Sequence, residues 1–138
     1  MKIQSKRIMN KICTDIEQSK KLIELVIDTD TADMSYSFNF NSETYELSTV
    51  PYKDWIVPKY AKSDKFEQVI PAWSLSALLE LIPDELQDNH FLTLEKEKDE
   101  YCCCFEDING NSFNHFFGNN AIDVAFEMMC WLLDSRKL

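Results

Sequence analysis

The side chains best able to do chemistry in this sequence are three adjacent cysteines, Cys102, Cys103 and Cys104, with His115 and His90 nearby in the chain. Thiolates and imidazoles are soft ligands suited to zinc, and a thiol beside a histidine is also the raw material of a covalent nucleophile. The spacing argues against both uses. On a strand, alternation sends Cys102 and Cys104 to one face and Cys103 to the other, so only two thiols converge. Neither a Cys-x-x-Cys nor a His-x-x-x-His pair accompanies them. Packing as small apolar residues is the expected role.

A second constellation is Asp28-Thr29-Asp30-Thr31, which follows the apolar run Leu22 to Ile27. A paired aspartate after a strand serves carboxylate-nucleophile phosphotransfer. Here Ala32 stands where that pattern carries Thr or Val, and the preceding run has helical spacing. The glycine and distant glutamate of a calcium loop are missing too. An acidic turn ending a helix is the expectation.

Tyr52, Trp55 and Tyr60, beside Pro51 and Pro58, are the partner-binding candidates. Tyrosine and tryptophan give large contact area at low entropic cost, and loops on a rigid scaffold often carry recognition. The competing use of these rings is to lid their own core. No catalytic residue, metal ligand set or cofactor site is assigned.

Composition sets the frame for these residues. The chain has 138 residues, 45% hydrophobic and 28% charged, which is the make-up of an ordinary folded domain. A net charge of -10 disfavours a phosphate backbone or an anionic membrane as partner. The basic residues Lys2, Lys6, Arg7 and Lys11 gather in an N-terminal extension, residues 1 to 11, expected to be flexible and solvated. The acidic stretch Asp84 to Asp107 reads as solvated surface. No run reaches the roughly 20 apolar residues of a membrane helix, and no secretion signal opens the chain. Five cysteines, odd in number and three of them adjacent, point to reduced thiols and a cytoplasmic protein.

Periodicity supplies the elements. Thr14 and Glu17 form a capping-box pattern before a helix over residues 15 to 26, with Ile12, Ile16, Ile23 and Val26 near one face. Met34, Tyr36, Phe38 and Phe40 alternate with polar residues, giving a strand with one apolar face and a hairpin return at residues 44 to 47. Residues 48 to 70 lack a period and are either a functional loop or hold an unrecognised element. Pro71 suits a first helical turn, with Leu75, Leu78, Leu79 and Ile82 on one face of a helix over residues 72 to 82. Strands at residues 91 to 97, 101 to 106 and 112 to 117 form a meander, its second turn marked by Asn109-Gly110.

A last helix over residues 120 to 134, capped by Asn119 or Asn120, carries two apolar stripes. One comprises Ile122, Ala125, Phe126, Met129, Cys130 and Leu133, the other Val124, Met128 and Trp131. The second stripe requires a cover, either the segment from residue 48 to 70 or a second copy of the chain. The order α-β-β-loop-α-β-β-β-α predicts one α+β domain over residues 12 to 138, an antiparallel sheet of hairpins packed with about three helices.

Three segments carry a resemblance: Ile12-Cys13-Thr14 with Glu17 to Leu22, Ile70-Pro71-Ala72-Trp73-Ser74-Leu75 through Leu79, and Asp123-Val124-Ala125-Phe126-Glu127-Met128 with Trp131-Leu132-Leu133. Together they resemble small uncharacterised proteins of gut Bacteroidales bacteria and their phages and mobile elements. The resemblance leaves out Met1 to Ile8 and Cys102 to Cys104, makes Met9 a second candidate start, and implies no catalytic residue. The functional expectation is a non-enzymatic protein-binding or adaptor module, a phage or mobile-element accessory, acting as monomer or homodimer without nucleic acid or membrane. The alternative is a small metal-dependent regulator or enzyme built on the Cys102 to Cys104 strand and His115.

Overall fold

The computed structural model describes residues 11–55, 62–63, 66–87 and 89–135, the side chains at 62, 63, 66 and 67 excepted. It is an α+β fold with antiparallel strand pairing throughout the described residues. Contacts divide the chain into two compact units, Cys13–Ala77 and Leu78–Leu138, the latter joined by the N-terminal residues up to Ile12. Among the described residues, no helix is long and apolar enough to cross a membrane.

The first unit opens with helix α1 (Ile16–Glu24). Its capping box is not Thr14 with Glu17 but Asp15 with Gln18, one residue later. The Asp15 carboxylate accepts from Gln18 N at 2.8 Å, and Gln18 Oε1 accepts from Asp15 N at 3.1 Å. Thr14 is withheld from capping by another demand. Its buried Oγ1 accepts from Trp73 N at 3.1 Å and bonds Ser19 Oγ at 2.9 Å. Its N–H donates to Trp73 O, and its carbonyl accepts from Tyr36 Oη at 2.8 Å. One residue therefore ties α1 to two other segments.

The helix ends earlier than its apolar spacing predicts. Val26 N bonds Ile23 O and Ile27 N bonds Leu22 O, the two bonds of a Schellman ending that places Val26 in the left-handed region at φ 66°. Leu22 and Ile27 are buried, whereas Val26 is 85% and Ile12 62% exposed and Ile23 is also outside the core. The expected stripe through Ile12, Ile23 and Val26 is thus corrected: Ile12 lies before the first helical turn, and the αL residue Val26 ends the helix and turns its own side chain to solvent.

Strands β1 (Met34–Asn39) and β2 (Thr44–Ser48) form the expected hairpin. The strand β3 (Lys62–Ser63) pairs with β4 (Phe66–Glu67), and β5 (Val69–Ala72) adds to the free side of β1, giving sheet order β2-β1-β5. The segment from 48 to 70 therefore hides short elements, including a 3-10 turn at Tyr52–Asp54. Pro71 lies in β5 opposite Ser35 rather than in a helix. Phe38 N bonds Gln68 O at 2.8 Å, so alternation makes Ser35 and Pro71 a non-hydrogen-bonded pair and turns the missing proline N–H outward, where an edge strand tolerates it. Helix α2 (Leu75–Leu81) starts after Ser74, whose Oγ accepts from Ala77 N.

The faces of β1 also differ from expectation. Phe40 lies beyond the strand, 61% exposed and edge-on to Phe38, while Ser35 on the supposedly wet face is fully buried. The reason is Trp55, whose indole Nε1 donates to Ser35 Oγ at 2.8 Å, while Ser35 Oγ donates to Val50 O. Both faces of this end of the sheet are covered.

In the second unit, β6 (Glu85–Leu86), β7 (His90–Glu97), β8 (Glu100–Glu106) and β9 (Ser112–Gly118) form a sheet in that order. Asp107 builds the Asn109-Gly110 turn by accepting from Asn109 N and from both Asn111 N and Nδ2, with Gly110 at φ 86°. Helix α3 (Ala121–Asp134) packs on β8 and β9. Its buried residues are Ile122, Val124, Ala125, Met128 and Met129 from the two predicted stripes and Leu132 from neither, while Phe126, Cys130 and Leu133 are only half-buried. At 100° per residue the buried six occupy one arc of about 160°, with Trp131 at its border.

A valine at the αL position of the α1 ending costs about 1 kcal/mol or more relative to glycine. Val26→Gly is expected to stabilise the protein by about 1 kcal/mol in urea unfolding. A loss of stability would contradict the Schellman assignment.

Candidate functional site

The second unit carries a cleft of about 350 Å³ lined by Leu86, Gln87, Phe113 and Trp131. Its walls follow from the elements. Trp131 comes from the border of the α3 buried arc, Phe113 from β9, and Leu86 and Gln87 from β6 and the turn after it. Phe113 meets Trp131 edge-on at 6.4 Å and stacks over the buried Phe105 at 5.9 Å. His90 packs edge-on against Phe113 at 4.8 Å. The lining is apolar apart from Gln87, so the cleft suits a hydrophobic or aromatic group.

Behind Phe113, His90 Nδ1 lies 3.2 Å from Gln87 O, and its Nε2 is 3.9 Å from Asp107 Oδ2. Partial burial works against the Asp107 charge, but the hydrogen bonds from Asn111 and Asn109, with His90 beside it, hold its carboxyl below the ordinary range. The pair fixes the turn beside Phe113. At 3.9 Å the two side chains are not hydrogen-bonded to each other.

The thiols of β8 sit on opposite faces as alternation requires. Cys103 faces inward beside Phe105, both fully buried. Burial pushes the Cys103 thiol up to about 12 and the Cys104 thiol up to about 11, and raises Cys102 as well. Such thiols are poor nucleophiles near neutrality. His115 is exposed on β9, with Nε2 bonded to Ser112 Oγ at 2.7 Å and its ring stacked on Phe117. A bulge at Asn114, φ 53°, lets two residues of β9 oppose Cys104. Among the described residues, no group of three His, Cys, Asp or Glu side chains gathers to hold a metal ion.

No family model, curated protein or solved structure matches this chain.

Of the three partner-binding candidates, Trp55 and Tyr52 are half-buried in the first unit, and Tyr60 lies outside the described residues. Trp55 spends its N–H on Ser35, and Tyr52 N donates to Ala32 O. The aspartate turn is likewise structural. Asp28 caps the 3-10 turn Thr29–Thr31, Thr31 Oγ1 accepts from the Trp73 indole at 2.9 Å, and Asp33 accepts from Ser74 N and Oγ. Of the N-terminal basic residues, Lys11 pairs with Asp123 at 2.9 Å, and Lys2, Lys6 and Arg7 lie outside the described residues. Phe113 and Leu86 were not legible as site residues. The signal that pointed to Trp131 was its stripe on the last helix.

Alkylation of the native chain, read by mass spectrometry, should modify Cys102 well before Cys103 and Cys104. Because the folded state holds the Cys103 proton up to about 12 against an ordinary 9.0, stability is full below about pH 9 and falls as pH rises from there towards 12. Equal labelling of Cys102 and Cys103, or stability rising over that window, would contradict the burial described.

Proposed function

We propose that this chain is a non-enzymatic protein-binding or adaptor module that receives an apolar side chain of its partner in the Trp131 cleft. The observation that carries this reading is a half-buried tryptophan and a phenylalanine held edge-on at the mouth of a cavity of about 350 Å³. Interface energy concentrates in such aromatic anchors and the pockets around them. The raised thiols of β8 weigh against a cysteine nucleophile, and among the described residues the cleft lining itself carries no titratable side chain. The proposed partner is a protein, encountered in the cytoplasm by a monomer or homodimer; the net charge of -10 weighs against nucleic acid and anionic membrane. An accessory role in a phage or mobile element rests on the resemblance of the three segments alone.

Panning a random peptide library on the immobilised chain tests the reading. Enriched peptides should carry an aromatic or branched aliphatic anchor, and their affinity should fall at least about tenfold with Trp131→Ala, a change of about 1.4 kcal/mol. Circular dichroism should show that variant folded. Enriched peptides whose affinity is indifferent to both Trp131→Ala and Phe113→Ala would contradict the proposal.

A further inference from the structure

Trp131 stands at the border of the α3 buried arc, and the charge just beyond that border is of one sign. At 100° per residue, Glu127 lies about 40° and Asp134 about 60° past Trp131 on the side away from the buried residues. They sit one turn before it and one turn after it, at the four-apart and three-apart spacings that make neighbours on a helix surface. Both are exposed, and among the described residues neither is in an ion pair. The last turn of α3 carries no basic residue. Asp134 therefore adds its charge to the negative end of the helix dipole, where a cation is favoured and an anion is not.

We infer that the partner seated in the Trp131 cleft carries lysine or arginine on either side of its apolar anchor, and that these cations pair with Glu127 and Asp134. The inference rests on the binding role proposed above and adds the chemistry of the partner to it. The lining of the cleft is apolar apart from Gln87, so it holds the anchor without a charge preference. The two carboxylates beside its α3 wall supply that preference.

Spacing sets the positions of the cations in the partner. Along the helix axis, Glu127 and Asp134 are about 6 Å and about 4.5 Å from Trp131. In an extended segment, side chains two residues apart share a face and stand about 6.6 Å from each other. A basic-x-anchor-x-basic segment lying along α3 thus brings one cation to each carboxylate, within the reach of long, flexible side chains. Exposed ion pairs contribute little each, so the cations select the partner and speed its encounter, while the anchor supplies most of the affinity.

Three end-blocked peptides provide the test: Lys-Ala-Trp-Ala-Lys and its counterparts with glutamine or glutamate in place of both lysines. Each is titrated into the full nitrogen-15-labelled chain at low salt and followed by nuclear magnetic resonance. The lysine peptide should bind about tenfold more tightly than the glutamate peptide, with the glutamine peptide between them. The difference should shrink severalfold in about 0.5 M sodium chloride. Glu127→Gln combined with Asp134→Asn should remove most of it. Glu95→Gln combined with Glu97→Gln strips the same charge from the face of β7 opposite to His90, and should preserve it. Equal affinity for the three peptides, all lost with Trp131→Ala, would overturn the inference and leave the binding role of the cleft standing. A lysine preference that survives Glu127→Gln with Asp134→Asn, or that disappears with Glu95→Gln and Glu97→Gln, would also overturn it. Binding of no peptide, or binding indifferent to Trp131→Ala, would overturn the binding role and the inference together.

Discussion

Tryptophan has one donor and no acceptor, so each indole buried in this fold requires an oxygen within hydrogen-bond reach. The first unit meets that requirement twice with hydroxyls. Thr31 receives the Trp73 indole and Ser35 receives that of Trp55. Both bonds fix irregular chain, since Thr31 belongs to the Asp28 turn and Trp55 to the segment after β2. The Trp73 backbone adds an exchange of hydrogen bonds with Thr14 that joins the entry to α1 to the exit from β5. Removing one partner of such a buried pair costs about 1 to 3 kcal/mol, a large share of a small unit's stability. In the second unit, Trp131 is half-buried with no hydrogen bond from its indole among the described residues, and it lines a cleft instead.

Periodicity placed the elements with a sustained repeat. The β1–β2 hairpin, the three-strand meander and the last helix lie where alternation and 3.6-residue spacing place them. It failed where a local rule met a tertiary demand. Thr14 has the right chemistry for a cap, but a buried junction claims its hydroxyl and Asp15 caps instead. Pro71 suits a helix start and an outward-facing strand position equally, and only pairing with β1 distinguishes them. Val26 has the spacing of a core residue, yet its left-handed conformation ends the helix and exposes it. The demands on Thr14 and Pro71 come from residues distant in the chain, so no window of sequence contains them.

The candidate site was legible in part. Alternation separated Cys103 from Cys102 and Cys104, and the width of the apolar arc on the last helix drew attention to Trp131. The cleft itself requires Phe113, which a bulge and a turn bring beside Trp131 and His90, and Leu86, which belongs to a two-residue strand too short to show a period. Among the loop aromatics, Trp55 is half-buried with its indole bonded to Ser35 on a neighbouring strand, a partner that the local sequence does not reveal.

The division of the tryptophans into two whose indoles are hydrogen-bonded and one whose indole has no hydrogen bond among the described residues is the claim on which the fold and the cleft both rest, and indole N–H exchange measures it directly. In a nitrogen-15 correlation spectrum transferred to heavy water, the Trp73 and Trp55 indole signals should persist long after that of Trp131 has vanished. Prompt loss of the Trp55 or Trp73 signal, or slow exchange at Trp131, would contradict the account.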